Sequence, residues 1–419
     1  MVRESQGFHK APPSRRVPTG VGNAYLIYRL SSSQTYSEPL QFSFHDLLKL
    51  TRQFGCKDDR DRVFGLLGLH TTDSINSSII PDYTKSTGEV YFDLARKIIE
   101  KTSSLSLLSS VQLDHDNGYM RFYYNPRGKS FDKELPSWVP QWQFLLTQTL
   151  NPAQPDPRFS ASGGRTVERK DTDNPQLLIL RGVIVNKVET CSYGAFNSFW
   201  RGETRADLAS GAGFYWGRSS EAEPPDLHKI LETVKKTRAE LEEMAITLTA
   251  GKNWYGLPVY DVSAHLADYA RCLLKEGLLW SLETKSLDSR FRELDSVTRE
   301  ETSDLSQLSS HDFVAKAELE ALSQGGNADR FLDAVATVCE RRARFKTDNG
   351  MLGVGPEAMI KDDLVCILYG ADVPFVIRRE GTGYALIGEC YVRNLMCGEG
   401  VAKLSDPESK LAKSWIELV

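Results

Sequence analysis

The sequence predicts an α+β fold: a helical first part, a mostly helical middle and a small β-barrel-like unit at the C-terminal end. Three observations predict it. Apolar residues recur with helical period over 91–99, further helical periods lie between 226 and 347, and short apolar runs separated by tight turns follow residue 363. A length of 419 residues, 41% hydrophobic and 26% charged, is typical of a globular chain with two or three domains.

The composition argues against several classes of partner. A formal net charge of −5 gives no electrostatic reason to expect nucleic acid or an anionic membrane. No run approaches 18 apolar residues, so no membrane span is predicted. The seven cysteines form no C-x-x-C pair, which predicts no metal site and favours free thiols in a reducing, cytoplasmic compartment. No cofactor is predicted.

The order of segments predicts five regions. Residues 1–40, rich in Pro, Ser and Arg, predict a disordered leader with one short strand at "AYLIYRL". Residues 41–150 predict a helical block, and 151–175 a polar linker. Residues 176–340 predict a mostly helical region that opens with the strand "QLLILRGVIVNKVETCSY". Residues 341–419 predict the β-rich region, with strands at "DLVCILYG", "VPFVIRR" and "YALIGECYV".

Within the first block, Ser43 predicts a helix cap and Gly55 a helix end. The stretch "GCKDDRDRVFGLLGLH" predicts a second helix capped by Asp58, with an Asp58–Arg62 pair at i,i+4. The residues alone favour an exposed Asp61 over one buried between Arg60 and Arg62. We expect Asp61 to pair with an arginine across the packing between helices. An unchanged thermal midpoint in Asp61→Ala would show that this pair is not structural.

Three further elements follow in the first block. "PDYTKSTGEVYFDLARKIIEKT" predicts a long amphipathic helix, and "SLSLLSSV" predicts a short strand. "LPSWVPQW" predicts a rigid extended segment, because proline suits neither a central strand nor a helix interior. Its tryptophans could line a ligand pocket, but anchoring the loop on a core is favoured.

No common catalytic signature is present, and no catalytic residue is assigned. "GVGPEA" at 353–358 matches G-x-G-x-x-A, but a flexible turn is favoured over a dinucleotide site, and "GAGFYWG" at 211–217 has the wrong spacing. His265, Asp268 and Cys272 share a predicted helix face. Seven residues correspond to about 10.5 Å of helix rise, too far for proton transfer from Cys272 to His265, so a mixed helix face is favoured.

Taken in order, the first-block segments resemble the fungal heterokaryon incompatibility (HET) domain proteins. That family has an Asp-Arg-Asp-Lys/Arg-Val-Tyr/Phe run, then Asp-Tyr, then a helix with Val-Tyr, then Leu-Pro-Ser-Trp-Val-Pro-x-Trp. The matching residues here are Asp59, Arg60, Asp61, Arg62, Asp82, Tyr83, Tyr91, Pro136, Trp138, Pro140 and Trp142.

A second block, residues 341–401, resembles the C-terminal region of the same proteins. The principal matching residues are Gly355, Pro356, Gly370, Pro374, Phe375, Gly388, Glu389, Tyr391, Gly398 and Glu399. The chain departs from the family pattern at Asp362 and Asn394, where the family has Gly. Both positions suit turns, so the fold is expected to tolerate them.

The resemblance implies a fungal protein of non-self recognition, heterokaryon incompatibility and programmed cell death. The family's upstream Ser-Tyr-x-Trp-Gly and Trp-Ile-Asp-x-x-Cys-Ile-x-Gln strands are not in this sequence. We therefore expect a chain that lacks the effector half and acts by protein–protein contact, with an incompatibility partner or a HET protein of its own family. A truncated paralogue, an incomplete gene prediction and a natural fragment stay open. The alternatives are a TIR-like enzyme that hydrolyses NAD or nucleotides, and a catalytically inert scaffold.

Overall fold

The computed structural model describes most of the chain in separate stretches. These are residues 19–31, 42–52, 54–111, 113, 132, 134–144, 149–151, 159–192, 237–275, 317–339, 342–405 and 411–419. The chain divides into two compact units: the first combines Met1–Gly194 with Val338–Val419, and the second is Ala195–Thr337. The five regions expected from the sequence are consecutive segments, whereas the first unit combines two separate parts of the chain. The boundaries of the five regions therefore stay predictions.

The first block is helical, as predicted. Its helices are α2 (Phe44–Thr51), α3 (Asp61–Phe64) and α4 (Thr87–Thr102), with 3₁₀ turns at Asn76–Ser78 and Ser106–Ser110, and helix α1 (Thr19–Ser31) precedes them within region 1–40, which the sequence predicted as a disordered leader. The strand expected at "AYLIYRL" is wrong, because these residues lie in α1, where Arg29 bonds to Tyr25 one turn earlier. The long helix is confirmed: Ser86 and Glu89 form a capping box at the start of α4.

Three local expectations in this block need correction. The segment 106–110 is a 3₁₀ turn instead of a strand, because Leu107 and Leu108 are both buried and the Leu108 amide donates to the Leu105 carbonyl. "LPSWVPQW" turns instead of extending, since the Val139 amide donates to the Pro136 carbonyl. Helix α2 does begin at the Ser43 cap but ends at Thr51, before Gly55.

The β-rich part contains nine strands among the described residues. They are β1 (Arg169–Lys170), β2 (Leu178–Ser192), β3 (Arg342–Thr347), β4 (Leu352–Pro356), β5 (Leu364–Leu368), β6 (Phe375–Glu380), β7 (Gly383–Glu389), β8 (Tyr391–Val392) and β9 (Lys413–Leu418). The short helix α9 (Glu399–Ala402) precedes β9. The strands predicted at 364–392 are confirmed, as is the turn between β6 and β7.

The strands close into a ring. Strand β2 pairs with both β5 and β9, and the order β5-β6-β7-β9 completes the circuit, with β7 and β9 parallel and the other pairs antiparallel. The other end of β2 pairs with β3, which continues into β4 and β8. The 15-residue strand β2 therefore belongs to both parts of the sheet, and a register shift at 184–186 separates its two ends along β5.

The turn expected at "GVGPEA" is wrong, because Gly353–Pro356 lies in β4. A Cβ at Gly353 would come within 2.5 Å of the Phe345 ring and 2.7 Å of the Tyr391 carbonyl. The glycine therefore lets an aromatic ring of β3 pack against the backbone of β4. The departure at Asp362 has a φ of +73°, so this aspartate takes the left-handed conformation that glycine adopts easily. Asn394 has a φ of −94° and needs no glycine.

The core of the first unit packs on the barrel strands. It includes Val183 and Val188 of β2, Phe345 of β3 and Ile387 of β7. Ala161, within the region expected to be a polar linker, is fully buried in the same core. The amides of Ser160 and Ala161 donate to the carbonyls of Met396 and Asp372, which fixes this segment on the β-rich part.

The second unit is helical where the structure describes it. Its helices are α5 (Arg238–Leu248), 262–275 (α6), 317–322 (α7) and α8 (Ala328–Cys339), whose last two residues belong to the first unit. The helical period expected up to residue 347 is confirmed in α8 as far as Cys339 but is wrong for 342–347, which form strand β3. The stretches "SRFRELDSVTREETSDLSQLSSHDF" and "GAGFYWG" lie outside the described residues. None of the helices in the described stretches combines the length and apolar composition that a bilayer crossing requires.

Candidate functional site: the arginine node of the first block

Arg60 fastens the charged run onto the turn before α4. Its guanidinium contacts the Asp58 carboxylate at 2.6 Å and donates to the carbonyls of Tyr83 and Lys85. The guanidinium carbon also lies 5.1 Å from the centre of the Tyr83 ring. The hydrogen bond to Asp58 raises the pKa of Arg60 above its ordinary value. The family-motif residues Arg60 and Tyr83, 23 positions apart, are thus in contact.

Asp61 does not pair with an arginine, which corrects the sequence-based expectation. Its carboxylate accepts a 2.6 Å hydrogen bond from the Tyr83 hydroxyl, and this bond raises the pKa of Tyr83. The expected Asp58–Arg62 pair is also wrong. Helix α3 begins only at Asp61, so Asp58 lies before the helix and binds the backbone amide and side chain of Arg60.

Arg62 pairs instead with Asp59, at 3.3 Å, with both side chains largely buried. Arg62 also donates to the carbonyls of Arg52 and Phe54, just beyond α2. The hydroxyl of Tyr91 donates to the Asp59 carbonyl, and burial raises the pKa of this tyrosine well above its ordinary range. These contacts join α2, α3 and α4 through motif residues. Asp82 stays at the surface, where it accepts bonds from Thr84.

Arg52 is a central residue that the sequence analysis missed. It donates to the carbonyls of Phe144 (2.7 Å), Ser110 (3.0 Å) and Gln141 (2.9 Å), and its guanidinium carbon lies 5.0 Å from the centre of the Trp142 ring. Trp138 and Trp142 are buried, and the Trp138 indole donates to the Gln176 carbonyl. This confirms the favoured role of the tryptophans as loop anchors. No sequence spacing pointed to Arg52, because its partners are carbonyls 58 to 92 positions away.

His45 lies in the same part of the block. Its ring nitrogens lie 2.9 Å from Ser110 Oγ and 3.3 Å from Ser106 Oγ. Burial, followed by the nearby charges of Lys49 and Arg52, lowers the pKa of His45 well below its ordinary value. A catalytic serine–histidine pair uses a carboxylate to orient and stabilise the histidine. Here the neighbouring charges are cations and His45 and Ser110 are buried, so the arrangement suits packing.

The motif residues of the β-rich part hold this block to the barrel. Glu389 and Arg342 form an ion pair whose side chains are each only 4% exposed, and Glu389 also accepts from the Leu150 amide. Ser137, between Pro136 and Trp138, accepts from the Leu386 amide of β7. At Gly388 a Cβ would lie 2.8 Å from Pro356 and 3.1 Å from the Val111 carbonyl. The two sequence blocks therefore pack against each other within the first unit.

The remaining motif residues fill close contacts around the barrel. Pro374 and Phe375 lead into β6, and the Tyr391 ring packs edge-on against Phe159. A Cβ at Gly370 would lie 2.2 Å from Val167, and one at Gly355 3.2 Å from the Met359 sulfur. Gly398 packs on the Gly163 backbone, while Glu399 accepts from the Cys397 amide. Pro140 lies buried between the two tryptophans of its motif.

The other candidate site is a helix face, as favoured. On α6, His265 lies 3.0 Å from Thr249 Oγ1, whereas Asp268 pairs with Arg330 at 2.6 Å and accepts from the Asn327 amide. Cys272 is buried. Within the described stretches, no group of three or more His, Cys, Asp or Glu side chains is arranged to hold a metal ion.

Comparison with known proteins supports the resemblance seen in the sequence. The family model of the Het-6 beta-barrel domain matches residues 271–408. Among curated proteins, "Heterokaryon incompatibility protein 6, OR allele" of Neurospora crassa is 27% identical over 355 residues, which cover 81% of this chain and 48% of that protein. The chain thus spans about half the length of this relative. No solved structure matches the chain.

The segment that matches the family model does not contain every strand of the barrel. Residues 271–408 include β3 to β8, but the ring also needs β2 (Leu178–Ser192) and β9 (Lys413–Leu418). The barrel in this chain is therefore completed by strands from both sides of the matched segment. The family model and the Neurospora relative together confirm that this chain is similar to the fungal heterokaryon incompatibility proteins and that its C-terminal sheet corresponds to their Het-6 beta-barrel domain.

Proposed function

We propose that the chain acts in fungal non-self recognition, as a HET-type protein that works through protein–protein contact. The observation that carries this proposal is the 27% identity to heterokaryon incompatibility protein 6 across 81% of the chain. The geometry is consistent with it. The motif residues build a body from two blocks, in which arginines satisfy backbone carbonyls and glycines admit close packing.

The motif side chains carry structure in this proposal, and recognition takes place on the surface that they support. Arg52 and Arg62 are engaged by backbone carbonyls, and Trp138 is buried with its indole bonded. Among the contacts made by the charged run, those in the turn around Tyr83 are exposed at the surface. Programmed cell death is the proposed consequence of a mismatch between partners, and the cytoplasm is the proposed compartment.

The test is a fusion assay in the fungus that carries this gene. A strain in which the gene is deleted and a strain that retains it are each paired with strains carrying different alleles. We expect the retained gene to produce growth arrest or death in at least one fused combination, and deletion to restore growth in that combination. Normal growth of every combination with the gene retained would contradict the proposal.

A second assay separates this role from the rival enzyme. Purified chain is incubated with NAD, and nicotinamide release is measured by chromatography against a buffer blank. We expect release equal to the blank. Release that depends on the chain would favour the TIR-like hydrolase and contradict a role by contact alone.

A further inference from the structure

One surface of the first unit combines exposed apolar side chains with an excess of carboxylates. Ile80 is 84% exposed and Tyr83 is 54% exposed, and both lie in the turn before α4. Around them the carboxylates outnumber the cations by five to three. We call this surface the motif patch: Ile80 and Tyr83 with the carboxylates Asp58, Asp61, Asp82, Glu89 and Asp93 and the cations Arg60, Lys85 and Lys97.

A second surface has the opposite charge. On β9, Trp415 is 41% exposed and pairs across the sheet with Arg181 of β2, whose guanidinium carbon lies 5.0 Å from the centre of the Trp415 ring. Lys413 lies on the same face of β9, two residues earlier. Arg165 stacks at 5.0 Å on Tyr369, which follows β5 beside Arg181. We call Arg165, Arg181, Lys413 and Trp415 the rim patch.

The charge balance of the rim patch is positive. Including the exposed stretch 165–171 and Glu417 of β9, the cations Arg165, Arg169, Lys170, Arg181 and Lys413 face the carboxylates Glu168, Asp171 and Glu417. In the stretches that the structure describes, neither Arg165 nor Arg181 has a carboxylate within 4.0 Å. Both guanidinium groups are therefore available to a carboxylate from outside.

We infer that a second copy of this chain docks its rim patch on the motif patch of the first. Each patch has an exposed aromatic side chain, stacked with an arginine and surrounded by charges opposite to those of the other patch. Aromatic and arginine side chains are the residues that most often dominate the energy of binding, and opposite charges select orientation and partner. Because the two patches differ, the contact is head-to-tail, and each added copy leaves one patch of each kind open.

This inference deepens the proposed function and rests on it for its biological meaning: the partner that it names is the chain's own kind. Self-association itself is tested on the purified full chain. Sedimentation velocity is measured over a range of protein concentrations at about 0.05 M and about 0.5 M salt, between which the screening length shortens severalfold. We expect concentration-dependent assembly at the lower salt and loss of assembly at the higher.

Two charge-reversed variants test the surfaces. Asp82→Lys with Asp93→Lys makes the motif patch positive, and Arg165→Glu with Lys413→Glu makes the rim patch negative. Each variant alone should stay monomeric at low salt. An equimolar mixture should assemble again, because the unaltered rim patch of the first variant can meet the unaltered motif patch of the second. The two reversed patches also carry opposite charges. Circular dichroism and thermal midpoints establish that both variants fold.

A third variant removes an apolar contact with little risk to folding. Ile80→Ser should weaken assembly at least tenfold, whereas Tyr260→Ser, at an 85% exposed aromatic in the second unit, should leave it unchanged. A monomer at low salt, assembly that survives both reversals, or a mixture that stays monomeric would overturn the inference.

If the reversed variants lose assembly but still cause incompatibility in fused cells, the proposed function stands without self-association. If they assemble as expected while the unaltered gene causes no incompatibility, the proposed function alone fails.

Discussion

At the scale of single residues, arginine in the first block acts mainly on backbone carbonyls. Arg52 binds three of them, and Arg60 and Arg62 bind two each. A planar guanidinium with five donors can do this where a lysine ammonium cannot reach the same acceptors together. The arginines of this block therefore stabilise turns and the ends of helices, where backbone carbonyls have no hydrogen-bond donor within a helix or sheet.

The two aspartates flanking Arg60 should differ in their effect on stability. Asp59→Ala leaves the largely buried Arg62 without its carboxylate, and we expect a loss of about 1–3 kcal/mol in the free energy of unfolding. Asp61→Ala removes only an exposed bond to Tyr83 and should change stability less. Urea unfolding of the two variants measures the difference. A larger loss of unfolding free energy in Asp61→Ala than in Asp59→Ala would show instead that Asp61 is the more important of the two carboxylates for stability.

Buried histidine makes the first unit sensitive to acid. The pKa of His45 lies well below its ordinary value of 6.5 because of burial, then of Lys49 and Arg52, so the unfolded chain takes up this proton at a higher pH than the folded chain. The stability from neutral His45 is therefore complete above pH 6.5 and is lost as the pH falls below it. We expect a decrease of up to about 1.4 kcal/mol per pH unit.

Urea unfolding between pH 7.5 and about pH 5 measures this dependence. His45→Gln should be less stable at neutral pH but show a shallower dependence below it, whereas His70→Gln, at an exposed histidine, should match the parent chain. Burial also lowers the pKa of His265, so a smaller acid effect from the second unit should persist in His45→Gln. Equal slopes in His45→Gln and the parent chain would count against the prediction.

At the scale of elements, glycine in β4 sets the distance between two strands. A Cβ at Gly353 would enter the volume of the Phe345 ring, so Gly353→Ala should force the ring or the strand to shift. Overpacking of this kind costs about 1–3 kcal/mol, read as a lowered midpoint in thermal or urea unfolding. The matched control is Gly68→Ala, whose Cβ meets no atom within 4 Å and should change the midpoint little.

The elements show which features the sequence could predict. Helix α4 was predictable, because Ser86, Glu89 and the period of its buried residues all act within one helix. The strand expected at 104–111 was wrong because a local hydrogen bond from the Leu108 amide to the Leu105 carbonyl closes a 3₁₀ turn there. The turn expected at 353–358 was wrong because Gly353 pairs with Phe345 of the neighbouring strand β3. The motif residues were identified by family pattern, but Arg52 and Arg342 were missed, since their acceptors are far away in the sequence.

At the scale of the whole molecule, the barrel is discontinuous in the chain. The second unit lies in sequence between β2 and β3, which pair with each other, and the segment matched by the family model contains neither β2 nor β9. Residues 271–408 expressed alone should therefore leave open strand edges and unfold without a cooperative transition. Circular dichroism on heating and binding of a hydrophobic dye test this.

The complementary variant keeps both missing strands. Met1–Gly194 joined to Val338–Val419 by a short Gly-Ser linker retains every strand of the ring, and it should unfold in one cooperative transition. A domain can be inserted between two paired strands when the residues that flank the insertion lie close together. Ser192 of β2 and Arg344 of β3, on either side of the second unit, are paired neighbours. Cooperative unfolding of 271–408 alone would show instead that β2 and β9 are dispensable.

The position of β9 also determines when the barrel can form during synthesis. Strand β2 is synthesised about 150 residues before β3 and more than 200 residues before β9. Its backbone hydrogen-bonding groups therefore remain unpaired with these strands while the intervening residues are translated. Contacts of such long range fold slowly, and exposed edges in the meantime invite pairing with other chains. A nascent chain stalled anywhere between residues 192 and 413 would be an open sheet, and chaperone binding should persist until the last strand is released.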